Sequence, residues 1–430
     1  MAIAKTVAFH TLGCKLNFSE TSSLSRLMES EGFEKKEFDE LADVYVINTC
    51  SVTENADKEC RHLVRRIQRK APESLVVITG CYAQLKPKEI AEIPGVDLVL
   101  GAAEKFNIAA HIRELAKGDS ARICSCDIEE VTGFHASWSV NDRTRTFLKV
   151  QDGCDYNCSF CTIPMARGKS RSDSIENVVA KATELAAAGV KEIVLTGINL
   201  GDFGKGPDGG SMTIGINQRE ENFFELINEL DKVKGIARYR ISSIEPNLLS
   251  NSIIGFVANS DKFMPHFHIP LQSGSNKTLA AMRRRYKREL YAERVSLIKT
   301  LMPHCAIGVD VIVGFPGETE EDFRDTFDFL HMLDVSYLHV FTYSERDNTH
   351  ALTLGPVVPM QIRNERNKTL RNLSYMKMQH FTAAHAGQTR NVLFERHDSH
   401  GVMEGYTDNY IRVSTPVREE WRNSVVAWRI

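Results

Sequence analysis

Long apolar runs are missing from this 430-residue chain. No window of about eighteen consecutive apolar residues occurs, which excludes a conventional membrane-spanning helix and removes a membrane from the expected partners. The first residues lack an apolar signal core with a cleavage site, so we expect a cytoplasmic protein. Internal repeats and low-complexity tracts are also absent. The formal net charge of −3 argues against a globally basic nucleic-acid binder but leaves room for a local basic patch.

Cysteine, by contrast, is plentiful. The chain contains 10 cysteines, whereas disulfides seldom persist in cytosolic proteins. Clustered cysteines in such a chain more often bind a metal or take part in catalysis. The spacing of the cysteines is therefore the first functional signal to interpret.

The hydrophobic pattern predicts an α/β protein of several domains. Residues 1–120 alternate short apolar strands with helices, which indicates an open parallel α/β domain. Residues 121–142 have a mixed pattern and are expected to form a linker. Residues 143–380 contain six strand–helix units and a following helix, which suits a partial (β/α)6 barrel with its active site at the carboxyl ends of the strands. Within it, the glycine-rich residues 205–219 are expected to form a flexible insertion. Residues 381–430 suit a small all-β barrel of an RNA-binding type.

Three cysteines lie in one loop directly after the first strand of the expected barrel. Cys154, Cys158 and Cys161 are separated by four and then three positions. A [4Fe–4S] cluster normally takes four thiolates, so three leave one iron open for another ligand. S-adenosylmethionine (SAM) has an amino group and a carboxylate that suit such an iron. The alternative is a zinc site or incidental thiols, but zinc sites more often pair two CxxC units, and a second CxxC is absent.

Three further cysteines each follow a predicted strand of the first domain. Cys14, Cys50 and Cys81 stand one or two residues beyond these strands, in glycine or small polar surroundings. The carboxyl ends of parallel strands lie on one edge of a sheet, where ligands bind. We therefore expect these cysteines to converge and to hold a second cluster. The alternative is three buried structural cysteines.

The motifs around both groups resemble those of the radical SAM methylthiotransferases. The matching segments are Leu12-Gly13-Cys14-Lys15-Leu16-Asn17, Asn48-Thr49-Cys50, Thr79-Gly80-Cys81-Tyr82-Ala83-Gln84, Cys154 to Cys161 and Ile163 to Ser172. The resemblance implies a radical SAM barrel, a C-terminal TRAM domain that binds RNA, two [4Fe–4S] clusters and two SAM molecules. One SAM would be the methyl donor and the other the radical source. The six cysteines would then be both metal ligands and catalytic residues.

Three subfamilies share this pattern, and they differ in substrate. They modify isopentenyladenosine in tRNA, an aspartate of a ribosomal protein, or threonylcarbamoyladenosine in tRNA. The chain is most similar to the third, because its first motif reads Cys14-Lys15-Leu16-Asn17 rather than Cys-Gln-Met-Asn. The segments from His266 to Ser275 and from Leu338 to Arg346 agree with this choice.

Their position in the predicted barrel and the family resemblance together indicate SAM-binding residues near the ends of the barrel strands. Polar or backbone contacts are expected from the strand ends and from the arginine run, and apolar cover for the adenine from the fifth strand and its neighbours. The expected set is Phe160, Thr196, Gly197, Asn199, Ser243, Glu245, Gln272, Ser273, Arg285, Val311, Val313 and Phe341. The glycines could instead only shape turns, and the two valines could be core residues.

Cationic residues near the expected barrel mouth are candidates for RNA contact, because a tRNA substrate requires phosphate contacts. A charge run is more often a solvated face. The candidates are Arg167, Lys169, Arg171, Arg283, Arg284, Lys287 and Arg288, with Tyr410 and Arg412 in the tail and Arg390 and Arg396 as weaker ones.

The resemblance implies insertion of a methylthio group at carbon 2 of N6-threonylcarbamoyladenosine next to the anticodon. The target base would be flipped into the barrel mouth. The expected partners are a tRNA anticodon stem-loop, an electron donor of the flavodoxin or ferredoxin type, and a sulfur source. The competing interpretations are modification of isopentenyladenosine or of a ribosomal protein, and a cysteine-rich RNA-binding protein with structural zinc.

Overall fold

The computed structural model describes residues 6–51, 54–118, 120–140, 144–206, 213–214, 219–399 and 401–430. Most of the insertion expected at residues 205–219 lies outside these described residues, as does the side chain of Arg396. Within them, no helix combines the length and the apolar character needed to span a membrane.

The first domain is a parallel six-stranded sheet with helices on both faces, as the pattern predicts. Its strands are β1 (Thr6–Thr11), β2 (Glu34–Lys36), β3 (Val44–Thr49), β4 (Leu75–Gly80), β5 (Leu98–Leu100) and β6 (Arg122–Cys124). Its helices are α1 (Lys15–Ser30), α2 (Glu54–Lys70), α3 (Cys81–Leu85), α4 (Pro87–Ala91) and α5 (Ile108–Arg113). The strand order is β2-β1-β3-β4-β5-β6. Strand β3 is buried along its whole length, which explains its run of apolar and β-branched residues.

The second domain is an open barrel of six main parallel strands, again as predicted. These strands are β8 (Arg145–Lys149), β11 (Glu192–Thr196), β14 (Arg238–Ile241), β15 (His266–His268), β16 (Ala306–Val313) and β17 (Tyr337–Thr342). Shorter strands are β7 (Ser137–Trp138), β9 (Gln151–Asp152), β10 (Arg171–Ser172), β12 (Thr213–Ile214) and β13 (Arg219–Glu220). The main strands form two sheets joined by parallel bridges at Tyr239–Phe263 and Ser243–His268.

Helices cover the outside of the barrel and enclose the largest apolar core of the chain. They are α6 (Ile163–Arg167), α7 (Ile175–Ala187), α8 (Phe223–Lys232), α9 (Asn251–Asn259), α10 (Asn276–Ala281), α11 (Arg288–Leu301), α12 (Glu320–Met332) and α13 (Met360–Ala384). Helix α12 begins at a reciprocal capping box between Thr319 and Asp322, and Ser174 caps α7. Such caps satisfy backbone donors that a helix start would leave unpaired.

The segment expected to be a linker contributes to both sheets. Strand β6 pairs in parallel with β5, and β7 pairs antiparallel with β8. Helix α1 packs against the same edge of the barrel, where Phe18 meets Phe147 edge to face with ring centroids 5.6 Å apart. The first sheet and the barrel are therefore tightly joined at β8.

The tail forms a small antiparallel sheet, in agreement with the expected all-β C-terminal unit. It contains β18 (Thr389–Ser399), β19 (Val402–Thr407), β20 (Arg412–Pro416) and β21 (Val425–Arg429), in the order β20-β19-β18-β21. Two barrel arginines fasten it to the barrel. Arg238 donates to the carbonyl oxygens of Tyr406 and Asn391 at 3.1 and 2.7 Å, and Arg240 donates to that of Thr407 at 2.7 Å.

Candidate active site

Cys14, Cys50 and Cys81 converge at the carboxyl edge of the first sheet. Each follows one of three adjacent strands, β1, β3 and β4. Gly13 has φ +100° and lies so close to Cys50 that a β-carbon there would be 2.8 Å from its Sγ. The thiols of Cys81 and Cys14 are near enough to interact electrostatically. Cys14 is exposed, whereas Cys50 and Cys81 are buried, so the triad is open on one side.

Cys154, Cys158 and Cys161 lie in the loop between β9 and α6. The loop is fixed by backbone hydrogen bonds from Cys154 N to the Gly168 carbonyl at 3.0 Å and from Cys161 N to the Cys158 carbonyl at 3.2 Å. A third bond, from Ser159 N to the Met282 carbonyl at 3.1 Å, attaches the loop to the end of α10.

Donors are aimed at all three sulfur atoms of this loop. The backbone N–H groups of Tyr156 and Ile163 point to the Sγ atoms of Cys154 and Cys161, each at 3.4 Å. Arg284 Nη1 donates to Cys158 Sγ at 3.1 Å. Burial raises the pKa of the Cys154 thiol to about 11 and that of Cys161 to about 12. Protonated thiols are weak acceptors, so the three donors suit thiolates, which metal coordination would produce. The loop therefore fits a cluster.

A buried ionic cluster joins the two cysteine groups. Glu20 on α1 accepts from Lys105 at 2.7 Å, from Lys149 at 3.1 Å and from Arg167 at 3.2 Å. Arg167 also pairs with Asp152 at 3.0 Å. Although burial opposes ionisation, the charges of Arg167, Lys105 and Lys149 hold the pKa of Glu20 well below its usual range.

Arg167 connects this ionic cluster to the first triad. It is the last residue of α6, directly after the Cys154–Cys161 loop. Burial raises the pKa of the Cys81 thiol, and the positive charge of Arg167 opposes that increase. Asn17 accepts a hydrogen bond from Arg167 at 2.6 Å. The arginine therefore ties the barrel loop to the edge of the first sheet that carries the cysteines.

A cavity of about 230 Å³ lies beside the barrel loop. Its wall includes Phe160, Cys161, Gln272, Ile312 and Phe341. It therefore combines a cysteine of the loop with apolar side chains and one amide, a mixture typical of small-molecule sites.

The structure separates the expected SAM residues into five groups. Phe160, Gln272 and Phe341 line the cavity. Thr196 and Asn199 are buried, and Thr196 Oγ1 and Asn199 Nδ2 have no hydrogen-bond partner among the described residues. Unpaired buried polar atoms of this kind call for a ligand or water. Gly197 stands between them, at the end of β11.

Other members of that set have internal partners. Ser273 is fully buried and shares a hydrogen bond of 3.1 Å with Thr326. Glu245 forms an ion pair with Arg284. The Ser243 carbonyl accepts from Leu200 N at 3.3 Å.

The alternation of side chains along β16 decides where Val311 and Val313 lie, and a cation–π contact decides where Arg285 lies. Val311 and Val313 are fully buried in the core, and their neighbour Ile312 faces the cavity instead. Side chains alternate along a strand, so the two valines and the cavity lie on opposite faces of β16. Arg285 lies over the ring of Tyr156 at 4.0 Å, next to the loop cysteines.

The cationic candidates divide by burial. Arg167 and Arg171 are buried, and the side chain of Arg284 is only 4% exposed. Arg171 donates to the Gly133 carbonyl at 2.9 Å and to the Arg167 carbonyl at 2.7 Å. These three arginines hold the protein together and are not free for phosphates, which corrects the expectation of RNA contact. The exposed or partly exposed ones are Lys169, Arg283, Lys287 and Arg288.

The RNA-contact candidates in the tail also differ in exposure. Arg412 is 59% exposed and pairs with Glu404, whereas Arg390 is paired with Asp408 at 2.8 Å. Tyr410 is turned inward and stacks on His266 with ring centroids 4.0 Å apart. It therefore packs against the barrel and does not form part of an open RNA surface.

Sequence reasoning missed three residues that shape the site. Gln151 accepts from the backbone N–H groups of Ile198 and Asn199, each at 2.9 Å, and so fixes the loop after β11. Glu20 organises the ionic cluster, and Asn17 accepts a hydrogen bond from Arg167 beside the first triad. Asn17 belongs to the motif around Cys14, and this was the one available signal.

Two family models match the chain. Residues 6–101 match the uncharacterized protein family UPF0004, and residues 148–330 match the Radical SAM superfamily. The first range contains the Cys14, Cys50 and Cys81 triad, and the second contains the barrel loop.

Relatives of similar length match almost the entire chain. The threonylcarbamoyladenosine tRNA methylthiotransferase MtaB of Bacillus subtilis is 40% identical over 99% of this chain and 93% of its own. The protein of the same name from Aquifex aeolicus is 39% identical over 90% and 92%. A tRNA-2-methylthio-N(6)-dimethylallyladenosine synthase of Syntrophus aciditrophicus is 31% identical over 91% and 84%.

Among solved structures, the radical S-adenosylmethionine methyltransferase TsrM from Kitasatospora setae has a similar fold. The TM-score is 0.56 over 79% of this chain and 75% of that chain, with 15% sequence identity. At that identity the likeness concerns the fold alone.

Proposed function

This chain belongs to the radical SAM methylthiotransferase family, and on that premise we propose that it methylthiolates carbon 2 of N6-threonylcarbamoyladenosine next to the tRNA anticodon. The observation that carries the proposal is the pair of thiol triads, one on each side of a shared ionic cluster. A radical SAM enzyme requires only the barrel triad. The second triad gives the chain a place to hold the sulfur that is transferred.

The choice of substrate follows the relatives. Those named for threonylcarbamoyladenosine in tRNA are 40 and 39% identical to this chain, against 31% for the one named for dimethylallyladenosine. No observation favours a ribosomal-protein substrate or a zinc protein over this proposal.

The location of each group of residues suggests its role in the reaction. Cys154, Cys158 and Cys161 would hold one [4Fe–4S] cluster, and Cys14, Cys50 and Cys81 the other. With SAM bound, the first cluster would supply the electron for radical chemistry. Such chemistry suits the aromatic C–H bond, which is too weakly acidic for acid–base chemistry. Phe160, Gln272, Ile312 and Phe341 would enclose SAM and exclude water. Thr196 and Asn199 would supply its polar contacts.

The exposed cationic residues would bind the RNA. Exposed Lys169, Arg283 and Lys287, with partly exposed Arg288, would contact the phosphates of an anticodon stem-loop. Arg412 would extend this contact to the TRAM-like tail. The target base would leave the stack to reach the cavity. The reaction also requires a reductant of the flavodoxin or ferredoxin type and a sulfur source.

Nucleoside mass spectrometry tests the proposal. We expect tRNA from a deletion strain to lack 2-methylthio-N6-threonylcarbamoyladenosine and to accumulate its unmethylthiolated precursor. The intact gene should restore the product, and a Cys154→Ala gene should not. An unchanged amount of the product in the deletion strain would refute the tRNA assignment.

A further inference from the structure

Arg346 is a buried cation in the wall of the cavity beside the barrel loop. It lies in the segment that follows β17 and lines this cavity together with Cys161 and Tyr343. Its side chain is only 10% exposed. Because arginine stays protonated in proteins, the wall carries a permanent positive charge at this point.

One edge of the Arg346 guanidinium group has no partner. Nη1 donates to Asp57 Oδ2 of α2 at 2.7 Å, whereas Nε and Nη2 have no hydrogen-bond partner among the described residues. The two carboxylates next to Arg346 in sequence, Glu345 and Asp347, form ion pairs with other residues. Asp57 therefore holds the arginine in place, and the Nε–Nη2 edge stays unpaired.

Tyr343 adds a second unpaired group to the same wall. Its side chain is only 4% exposed, and its hydroxyl has no hydrogen-bond partner in the part of the chain that the structure describes. Buried polar groups are nearly always hydrogen-bonded, so both groups call for a ligand or water. The Nε–Nη2 edge of an arginine matches two oxygens of a carboxylate or phosphate, and a tyrosine hydroxyl can donate to a third lone pair. This donor set suits an oxyanion.

We infer that Arg346 and Tyr343 form a subsite for an oxyanion of the substrate RNA. The inference rests on the proposed function, since that substrate brings two such groups to the cavity when its base leaves the stack: the carboxylate of the threonylcarbamoyl substituent and the phosphates of the target nucleotide. The carboxylate of SAM is a poorer candidate, because it suits the open iron of the barrel cluster. The subsite would fix the nucleotide beside Cys161, where the radical forms.

Binding of three anticodon stem-loops to the reconstituted enzyme, followed by fluorescence anisotropy, tests the subsite without turnover. The first RNA carries N6-threonylcarbamoyladenosine. The second has a neutral carboxamide in place of its carboxylate, and the third has neutral methylphosphonates in place of the phosphates that flank the target nucleotide. The wild-type enzyme should bind one of the two neutralised RNAs roughly 10- to 100-fold more weakly than the first, the range for one charge-assisted hydrogen bond. The RNA that is weakened identifies the oxyanion.

The Arg346→Gln variant should lose the same factor on the first RNA and should no longer distinguish it from that neutralised RNA. It should bind SAM as tightly as the wild type does. Arg69→Gln, at an exposed arginine on α2, is the matched control and should keep the wild-type ratios.

The outcomes separate this inference from the proposed function. An Arg346→Gln enzyme that distinguishes the three RNAs as the wild type does would overturn the inference, and so would one that loses SAM affinity while its RNA ratios stay unchanged. A wild-type enzyme that binds all three RNAs equally would also overturn it, a result that does not depend on how the variant folds. Failure of the wild-type enzyme to methylthiolate the first RNA would instead overturn the proposed function.

Discussion

Glu20 is expected to contribute more to stability than any single cation that surrounds it. Its side chain is fully buried, and one oxygen, Oε1, lies within 3.2 Å of Lys105, Lys149 and Arg167. Glu20→Gln keeps the shape but removes the charge, and leaves three buried cations without that carboxylate. Arg167→Met removes one cation, while Glu20 keeps its two lysines. We therefore expect Glu20→Gln to be the more damaging substitution.

Removing one partner of a buried ion pair costs about 3–5 kcal/mol. Asp152 remains 3.3 Å from Lys149 and 3.0 Å from Arg167, so the lower end, about 3 kcal/mol, applies to Glu20→Gln. For a chain of 430 residues the entropy of unfolding is about 0.9 kcal/mol/K, so this corresponds to a decrease of about 3 °C in the unfolding midpoint.

Differential scanning calorimetry of the apoprotein measures this decrease. The matched control is Glu229→Gln, which removes the partly exposed partner of the exposed Lys232 and should cost less than about 1 kcal/mol. A Glu20→Gln midpoint equal to that of the control would refute the reasoning. So would an Arg167→Met variant less stable than Glu20→Gln.

Three further expectations concern the barrel, the tail and the RNA surface. Although burial opposes it, hydrogen bonds from Lys277 and Thr319 lower the pKa of Asp322 to about 2. Its stabilising effect is therefore complete above about pH 4 and lost as the pH falls towards 2, so the gap in unfolding midpoint between wild type and Asp322→Asn should shrink over that interval. Arg240→Met should destabilise the attachment of the tail by about 3–5 kcal/mol, because it removes two bonds to the tail and one to Glu192. Limited proteolysis should then release the tail faster, and equal rates would contradict this. Lys287→Ala should weaken stem-loop binding and lower the salt slope by about one, and an unchanged slope would exclude a phosphate contact.

The cysteine sites could be predicted because their placement depends on local pattern. Parallel strands end at a common edge, so Cys14, Cys50 and Cys81 converge once β1, β3 and β4 are recognised. The barrel loop requires only its own spacing. The tail sheet was likewise visible in short alternating strands.

Burial of the arginines could not be predicted, because it depends on distant residues. Arg167, Lys169 and Arg171 alternate in sequence and look equivalent. Arg167 is buried because Glu20, about 150 positions earlier, folds against it, whereas Lys169 has no such carboxylate among the described residues and is exposed.

The alternation of side chains between the two faces of a strand was a second source of error in the expected SAM site. The apolar run from Ala306 to Val313 predicts a strand but does not show which face meets the ligand. Val311 and Val313 enter the core, and Ile312 faces the cavity. Only the packing of the outer helices, α13 among them, against the barrel core fixes that choice.

Iron analysis of the anaerobically reconstituted protein tests the two-triad account most directly. On four irons per site, the wild type should hold roughly eight irons per chain. A variant with Cys14, Cys50 and Cys81 all replaced by alanine should hold roughly four, still cleave SAM and form no methylthio product. A variant that keeps the full iron content of the wild type would contradict the account.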